Sequence, residues 1–114
     1  MALTEAMLNG SLVQSSDVDN DVATATASAI AAQRHFVGGI NADYSAAVAA
    51  IRTVTLKFGT TTIHVWRHDF TGGRFETSLP FAVHGDYNQA VSVELQASGS
   101  GGTTGRVGFG KCTV

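Results

Sequence analysis

His64 and His68 stand four residues apart, a spacing that on a helix would let two imidazoles hold one metal ion. The stretch around them, TIHVWRHDF, reads as a strand, where four residues span about 13 Å, and no Glu follows His64 to act as a base. His68-Asp69 and His84-Gly85-Asp86 place carboxylates beside imidazoles, and Ser92 or Ser98 could complete a triad on paper. No nucleophile elbow accompanies them, so hydrogen-bonded turn histidines are the simpler reading. Glu76 and Glu94 are the right residue types for a glycosidase pair, with nothing further in the sequence to join them. Asp17-x-Asp19-x-Asp21 imitates the start of a calcium loop, but the sixth position is Val22 instead of Gly and the twelfth is Ser28 instead of Glu. The run SGSGGTTG has no Lys and is followed by a strand pattern, whereas a phosphate loop opens a helix. Its glycines are expected to turn a hairpin between two alternating strands. The sequence therefore predicts no catalytic residue, no metal site and no cofactor, and a protein that is not an enzyme. Trp66, Tyr44 and Tyr87 could form a platform for stacking sugars, although a residue such as Trp66 is more often part of a core or an interface.

The elements around these residues divide the chain in two. With 114 residues there is room for one compact domain. Charged residues make up 14% of it, low against a typical quarter, so much of the surface must be Thr, Ser, Ala, Gly and Asn. Such a surface suits a subunit covered by neighbours. A net charge of −2 argues against a nucleic-acid grip, which needs a basic stripe. Residues 1–33 carry Glu5, Asp17, Asp19 and Asp21 with no Lys or Arg, while residues 34–114 hold all seven cations. The single cysteine, Cys112, excludes an internal disulfide and reads as a small apolar filler. No basic region precedes an apolar run at the start, and no stretch is long enough to span a bilayer, so a soluble, non-secreted product with no membrane partner is expected.

Residues 1–33 are expected to be an extended, partly helical arm. Thr4 can cap a short helix through Leu8, and the acidic turn from Asp17 to Asp21 can open a second, Ala-rich helical stretch from Val22 to Ala32. Residues 34–114 hold all nine aromatics and read as an all-β, antiparallel β-sandwich or jelly-roll-like domain. VSVELQA places Val91, Val93 and Leu95 on one face, and GRVGFG turns Val107 and Phe109 inward. Phe75, Thr77, Leu79, Phe81 and Val83 share a side. Val54, Leu56 and Phe58 do likewise, with Arg52 breaking the phase and Ile51 out of step at a bulge. TIHVWRHDF is apolar on both faces, the mark of a strand buried on both sides or facing a partner. Turn signals fall at Gly38-Gly39, Gly59, Gly72-Gly73, Gly85-Asp86 and from Gly99 to Gly105, and Pro80 should lie on an edge strand or at a bend.

The segments IRTVTLKFGTTTIHVW and LPFAVHGDYNQAVSVELQASGSGGTTGRVGFG resemble a small β-domain of tailed-phage virion proteins, over about 80 of the 114 residues. The resemblance implies a structural virion protein on the capsid surface, made in the host bacterial cytoplasm. A capsid cement or decoration protein is the first expectation: a homotrimer that bridges subunits of the major capsid protein, with the acidic arm as clamp. Interface residues on this reading are Leu8, Leu12, Val13, Asp17, Asp19, Asp21, Trp66 and Tyr87. The alternative is a fibre- or adhesin-type module that binds a receptor or carbohydrate through Asp86-Tyr87-Asn88. A small hydrolase using His84 and Asp86 is a third, weaker possibility.

Overall fold

The structure, a computed structural model, describes residues 10–114, and within the strand that holds residues 80–82 it describes their backbone but not their side chains. Among the described residues nine strands follow one another: β1 (Ser11–Gln14), β2 (Val18–Asp19), β3 (Ala23–Ala27), β4 (His35–Tyr44), β5 (Ile51–Phe58), β6 (Thr61–Asp69), β7 (Phe75–His84), β8 (Val91–Leu95) and β9 (Thr104–Thr113). They form two antiparallel sheets. One has the order β1-β9-β4-β7, with β2 also paired to β9; the other has the order β3-β8-β5-β6. All-β sandwich architecture is as the period-two patterning predicts, and no α-helix occurs among the described residues.

The helical stretch over Val22 to Ala32 is not formed. Ala23, Ala25 and Ala27 are buried and Thr24 and Thr26 exposed, so β3 pairs along β8 from Ala23↔Leu95 to Ala27↔Val91. Alanine favours helix, but alternation with β-branched Thr puts every small apolar side chain on one strand face, and the period decides the outcome. Those alanines also let β3 lie closely over β9 of the facing sheet. β1 and β2 pair with β9, so the described part of residues 1–33 is built into both sheets. The helix expected from Thr4 to Leu8 lies outside the described residues.

The core between the sheets is apolar and fully enclosed. Val37, Ile40, Ala42, Val107 and Phe109 come from the first sheet, and Val54, Leu56, Val91, Val93 and Leu95 from the second. Phe109 is wholly buried at the centre, and truncation of such a side chain to Ala costs about 3–5 kcal/mol.

Four further expectations are corrected. The glycine run from Gly99 to Gly105 turns the chain, but β8 and β9 belong to different sheets, so it is an arch between them and not a hairpin. Gly99 and Gly102 take φ of +84° and +81°, the left-handed region where a side chain is strained. Gly38-Gly39 makes no turn; it is a bulge inside β4, where the register shifts between Val37 and Gly39. Arg52 does not break the phase of β5. It occupies the inward line at the strand's end and donates from Nε and Nη2 to the Ser98 carbonyl at 3.3 and 3.0 Å. The bulge in that hairpin falls between Leu56 and Lys57 instead. Finally, β6 is not buried on both sides: it is a free edge of its sheet, with Trp66 and His68 packed inward and Ile63 and Val65 exposed on the outer face. Pro80 lies in β7, the edge strand of the other sheet, where a missing N–H costs least.

Candidate surface cleft

The residues that could have done chemistry are spent on structure or kept apart. His64 packs edge-on against Trp66 at 4.6 Å. His68 does the same to Phe70 at 4.7 Å, and its Nε2–H donates to the Gly73 carbonyl at 3.0 Å. Ser98 is buried, and its hydroxyl serves the glycine loop through the Ser100 and Thr103 carbonyls, both at 3.0 Å. Glu76 pairs with Arg74 on the outer face of the first sheet, and Glu94 pairs with Lys57 at 3.1 Å on the outer face of the second. The two carboxylates therefore look out from opposite sides of the sandwich. Asp19 accepts from the Gly102 N–H at 2.8 Å, and Asn20 beside it accepts from the Gly99 N–H at 3.0 Å. Asp21 accepts from the Val22 N–H at 2.7 Å. The acidic turn is thus a latch on the glycine arch.

Three neighbouring recesses lie on the outer face of the β1-β9-β4-β7 sheet. Strand alternation turns Arg106, Gly108, Gly110 and Cys112 of β9 outward, and the register sets Asn41 beside Gly108 and Gly39 beside Gly110. Glycine thus occupies the outward positions at the middle of two central strands, where it weakens a sheet and needs a reason. A Cβ built on Gly38 or Gly110 meets no atom within 4 Å. The space above them is open.

Around that bare floor three recesses adjoin. The first, about 450 Å³, is walled by Leu12, Phe36, Gly38, Gly110 and Cys112 and is mainly apolar. The second, about 410 Å³, shares Gly110 and is lined by Gly39, Asn41, Glu76 and Ser78. The third, about 280 Å³, shares Asn41 and ends on Gln14, Asp43, Arg74 and Arg106. The first two volumes are in the range of small-ligand sites. The charges at the far end are balanced in pairs, Arg106 with Asp43 at 3.6 Å and Arg74 with Glu76. Burial pushes the Cys112 thiol up, with Lys111 pulling weakly the other way, so the sulfur behaves as an apolar wall.

Beyond the apolar end the loop from Gly85 to Ala90 presents Tyr87. Its ring is 56% exposed, and the Arg34 guanidinium lies 5.0 Å from its centroid and 5.4 Å from that of Phe36. The loop is held in place on several sides. Asn88, at φ +59°, accepts from the Ala32 N–H at 2.7 Å, its own N–H donates to the Gln33 carbonyl, and Gln89 accepts from the Asp86 N–H at 2.8 Å. His84 stacks on Phe36 at 5.0 Å and donates from Nδ1 to the Gly85 carbonyl at 3.0 Å. Tyr87 is an exposed aromatic on a rigid mount.

Of the interface residues expected from sequence, Leu12 and Tyr87 lie at the cleft or its approach, and Leu12 is 60% exposed. Val13 points into the core, Trp66 packs against Phe75 at 5.9 Å, and Asp17 sits by Arg106 and Ser45 at the far end. Leu8 lies outside the described residues. Sequence reasoning missed Gly39, Asn41, Gly108 and Gly110. Their signal was present: in VGFG the glycines fall on the alternate phase to two buried apolar residues, which marks a strand stripped on its outer face.

No protein-family model and no curated protein sequence matches the chain. Among solved structures it is similar to the CBM36-1 domain of a multidomain xylanase from the hindgut metagenome of Trinervitermes trinervoides, at a TM-score of 0.51 and 15% identity, over 90% of this chain and 95% of that one. At that identity the likeness is one of fold, and it places the chain among β-sandwiches of that architecture.

Proposed function

We propose that the chain is a non-catalytic carbohydrate-binding module whose ligand lies in the cleft on the β1-β9-β4-β7 face. The observation that carries the reading is the Gly39–Gly110 cross-strand pair, which clears the centre of a sheet that side chains would otherwise cover. Around it stand the groups a sugar uses: amide and hydroxyl at Asn41 and Ser78, charged hydrogen-bonding arms at Arg106 and Glu76, and apolar surface at Leu12 and Phe36. Tyr87 adds a ring on which a sugar can stack. The fold shared with a domain from a xylanase supports the same reading.

Affinity electrophoresis through gels containing xylan, mixed-linkage glucan or galactomannan tests it. Retardation by one of these polymers, reduced in Tyr87→Ala, is the expected result. A phage cement protein would behave otherwise: it would ignore all three polymers and co-sediment with empty phage shells. That outcome would replace this reading with the virion one.

A further inference from the structure

We infer that the cleft takes an internal stretch of a neutral, linear polysaccharide, laid along the strands. This rests on the carbohydrate-binding reading and adds ligand class and direction to it. The outward line of β9 from Cys112 to Arg106 covers seven residues, about 20 Å of strand, with only glycines between its ends, the floor lying open at Gly110 and narrowed at Gly108 by the Val13 carbonyl and the Asn41 and Gln14 side chains. The recesses follow the same line, the first and second both bordered by Gly110 and the second and third both bordered by Asn41. Leu12 and Gln14 of β1 stand on one side of this floor and Glu76 and Ser78 of β7 on the other, so the furrow is long in one direction and narrow across it.

Its charge sets the ligand's charge. Arg106 and Arg74 each face a carboxylate, and the Lys111 ammonium donates to the Thr113 hydroxyl at 3.1 Å. Two of the three cations lining the furrow are paired with carboxylates and Lys111 bonds a neutral hydroxyl, so the furrow lacks the basic stripe that a polyanion needs, and a neutral ligand suits it better than a nucleic acid or a polyuronate. Paired Arg and carboxylate groups instead offer donors and acceptors side by side, which suits vicinal hydroxyls.

Titration calorimetry with xylo-, cello- and manno-oligosaccharides of two to six units, and with polygalacturonate, tests the inference on the intact chain. Within one neutral series affinity should rise about tenfold or more from the disaccharide to the hexasaccharide, and Gly110→Leu should erase that gain. Gly38→Ser is a milder plug if the leucine variant fails to fold, and Thr55→Leu, on the outer face of the other sheet, is the control that keeps wild-type affinity. Tighter binding of polygalacturonate, or hexasaccharide binding that Gly110→Leu and Gly38→Ser leave intact, overturns the furrow while the carbohydrate-binding reading survives. Absence of binding to every sugar overturns both.

Discussion

The His35 imidazole donates from Nε2 to the Ser28 carbonyl and accepts at Nδ1 from the Thr113 hydroxyl, each at 2.8 Å. Because a carbonyl can only accept, the proton must reside on Nε2, and the Thr113 oxygen is left to accept from Lys111. One buried ring thereby ties the segment after β3 to the start of β4 and the end of β9. His35→Leu removes the donor to Ser28 and leaves the Thr113 hydroxyl without its acceptor. A loss of about 2–3 kcal/mol is expected from urea unfolding, since buried polar groups stripped of partners cost their desolvation.

Tyr44 gives the chain an alkaline limit. Its hydroxyl donates to the Gln96 carbonyl at 2.6 Å, and burial pushes the phenol up to about 12, with Arg52 pulling weakly the other way. The folded value lies above the unfolded one, so this contribution is fully present below about pH 10 and is lost as pH rises towards 12. In Tyr44→Phe the melting temperature should be lower at neutral pH, by the equivalent of about 1 kcal/mol. It should also fall less than that of the wild type between pH 10 and 12.

Glycines on the same face of β9 should answer differently to the same substitution. A Cβ on Gly108 comes within 3.1 Å of the Val13 carbonyl oxygen and 3.3 Å of Asn41 Oδ1, so Gly108→Ala must push β1 outward. Gly110→Ala meets nothing and removes backbone freedom from the unfolded chain. Gly110→Ala should stabilise by up to about 1 kcal/mol and Gly108→Ala destabilise by about 1–3 kcal/mol in the same denaturant titration. Equal effects from the two would contradict the open floor.

Asp19 and Asn20 hold the glycine arch from outside it. Asp19→Ala removes a charged acceptor from the Gly102 N–H, at a cost of about 1–2 kcal/mol. The sharper signature is local: Gly102 and Gly99 amides should exchange with solvent faster in the variant, while those of Val93 in β8 stay protected.

The strands of the body were legible because their alternation is clean. Val91, Val93, Leu95, Val107 and Phe109 all point where period two sends them. The stretch from Val22 to Ala27 was misread because Ala in ATATA carries a helix propensity that its partner Leu95-Val93-Val91 overrides, and a partner strand about seventy residues away leaves no local mark. The same blindness affected the arch. Glycines announce a turn but not whether it returns to the same sheet or crosses to the other. Of the proposed site, the exposure of Tyr87 on its loop was legible from an aromatic between Asp and Asn. The furrow was not, since a surface made by leaving side chains out is defined only once β4 and β9 are known to be neighbours with Gly39 opposite Gly110.

The pairing of first strands with last has a consequence for how the protein is made. Ser11 lies opposite Lys111 and Ala23 opposite Leu95, so chain leaving the ribosome carries β1 and β3 long before their partners exist. β9 is also the middle strand of its sheet, joining β1 and β2 to β4. Nearly all of the chain must therefore be synthesised before either sheet can close, and folding is set by slow, long-range closure, with little to gain from early local structure. A nascent chain halted before Thr104 would hold β1 and β2 as unpaired strands and β4 paired along one edge alone, to β7, and chaperones would meet it in that state.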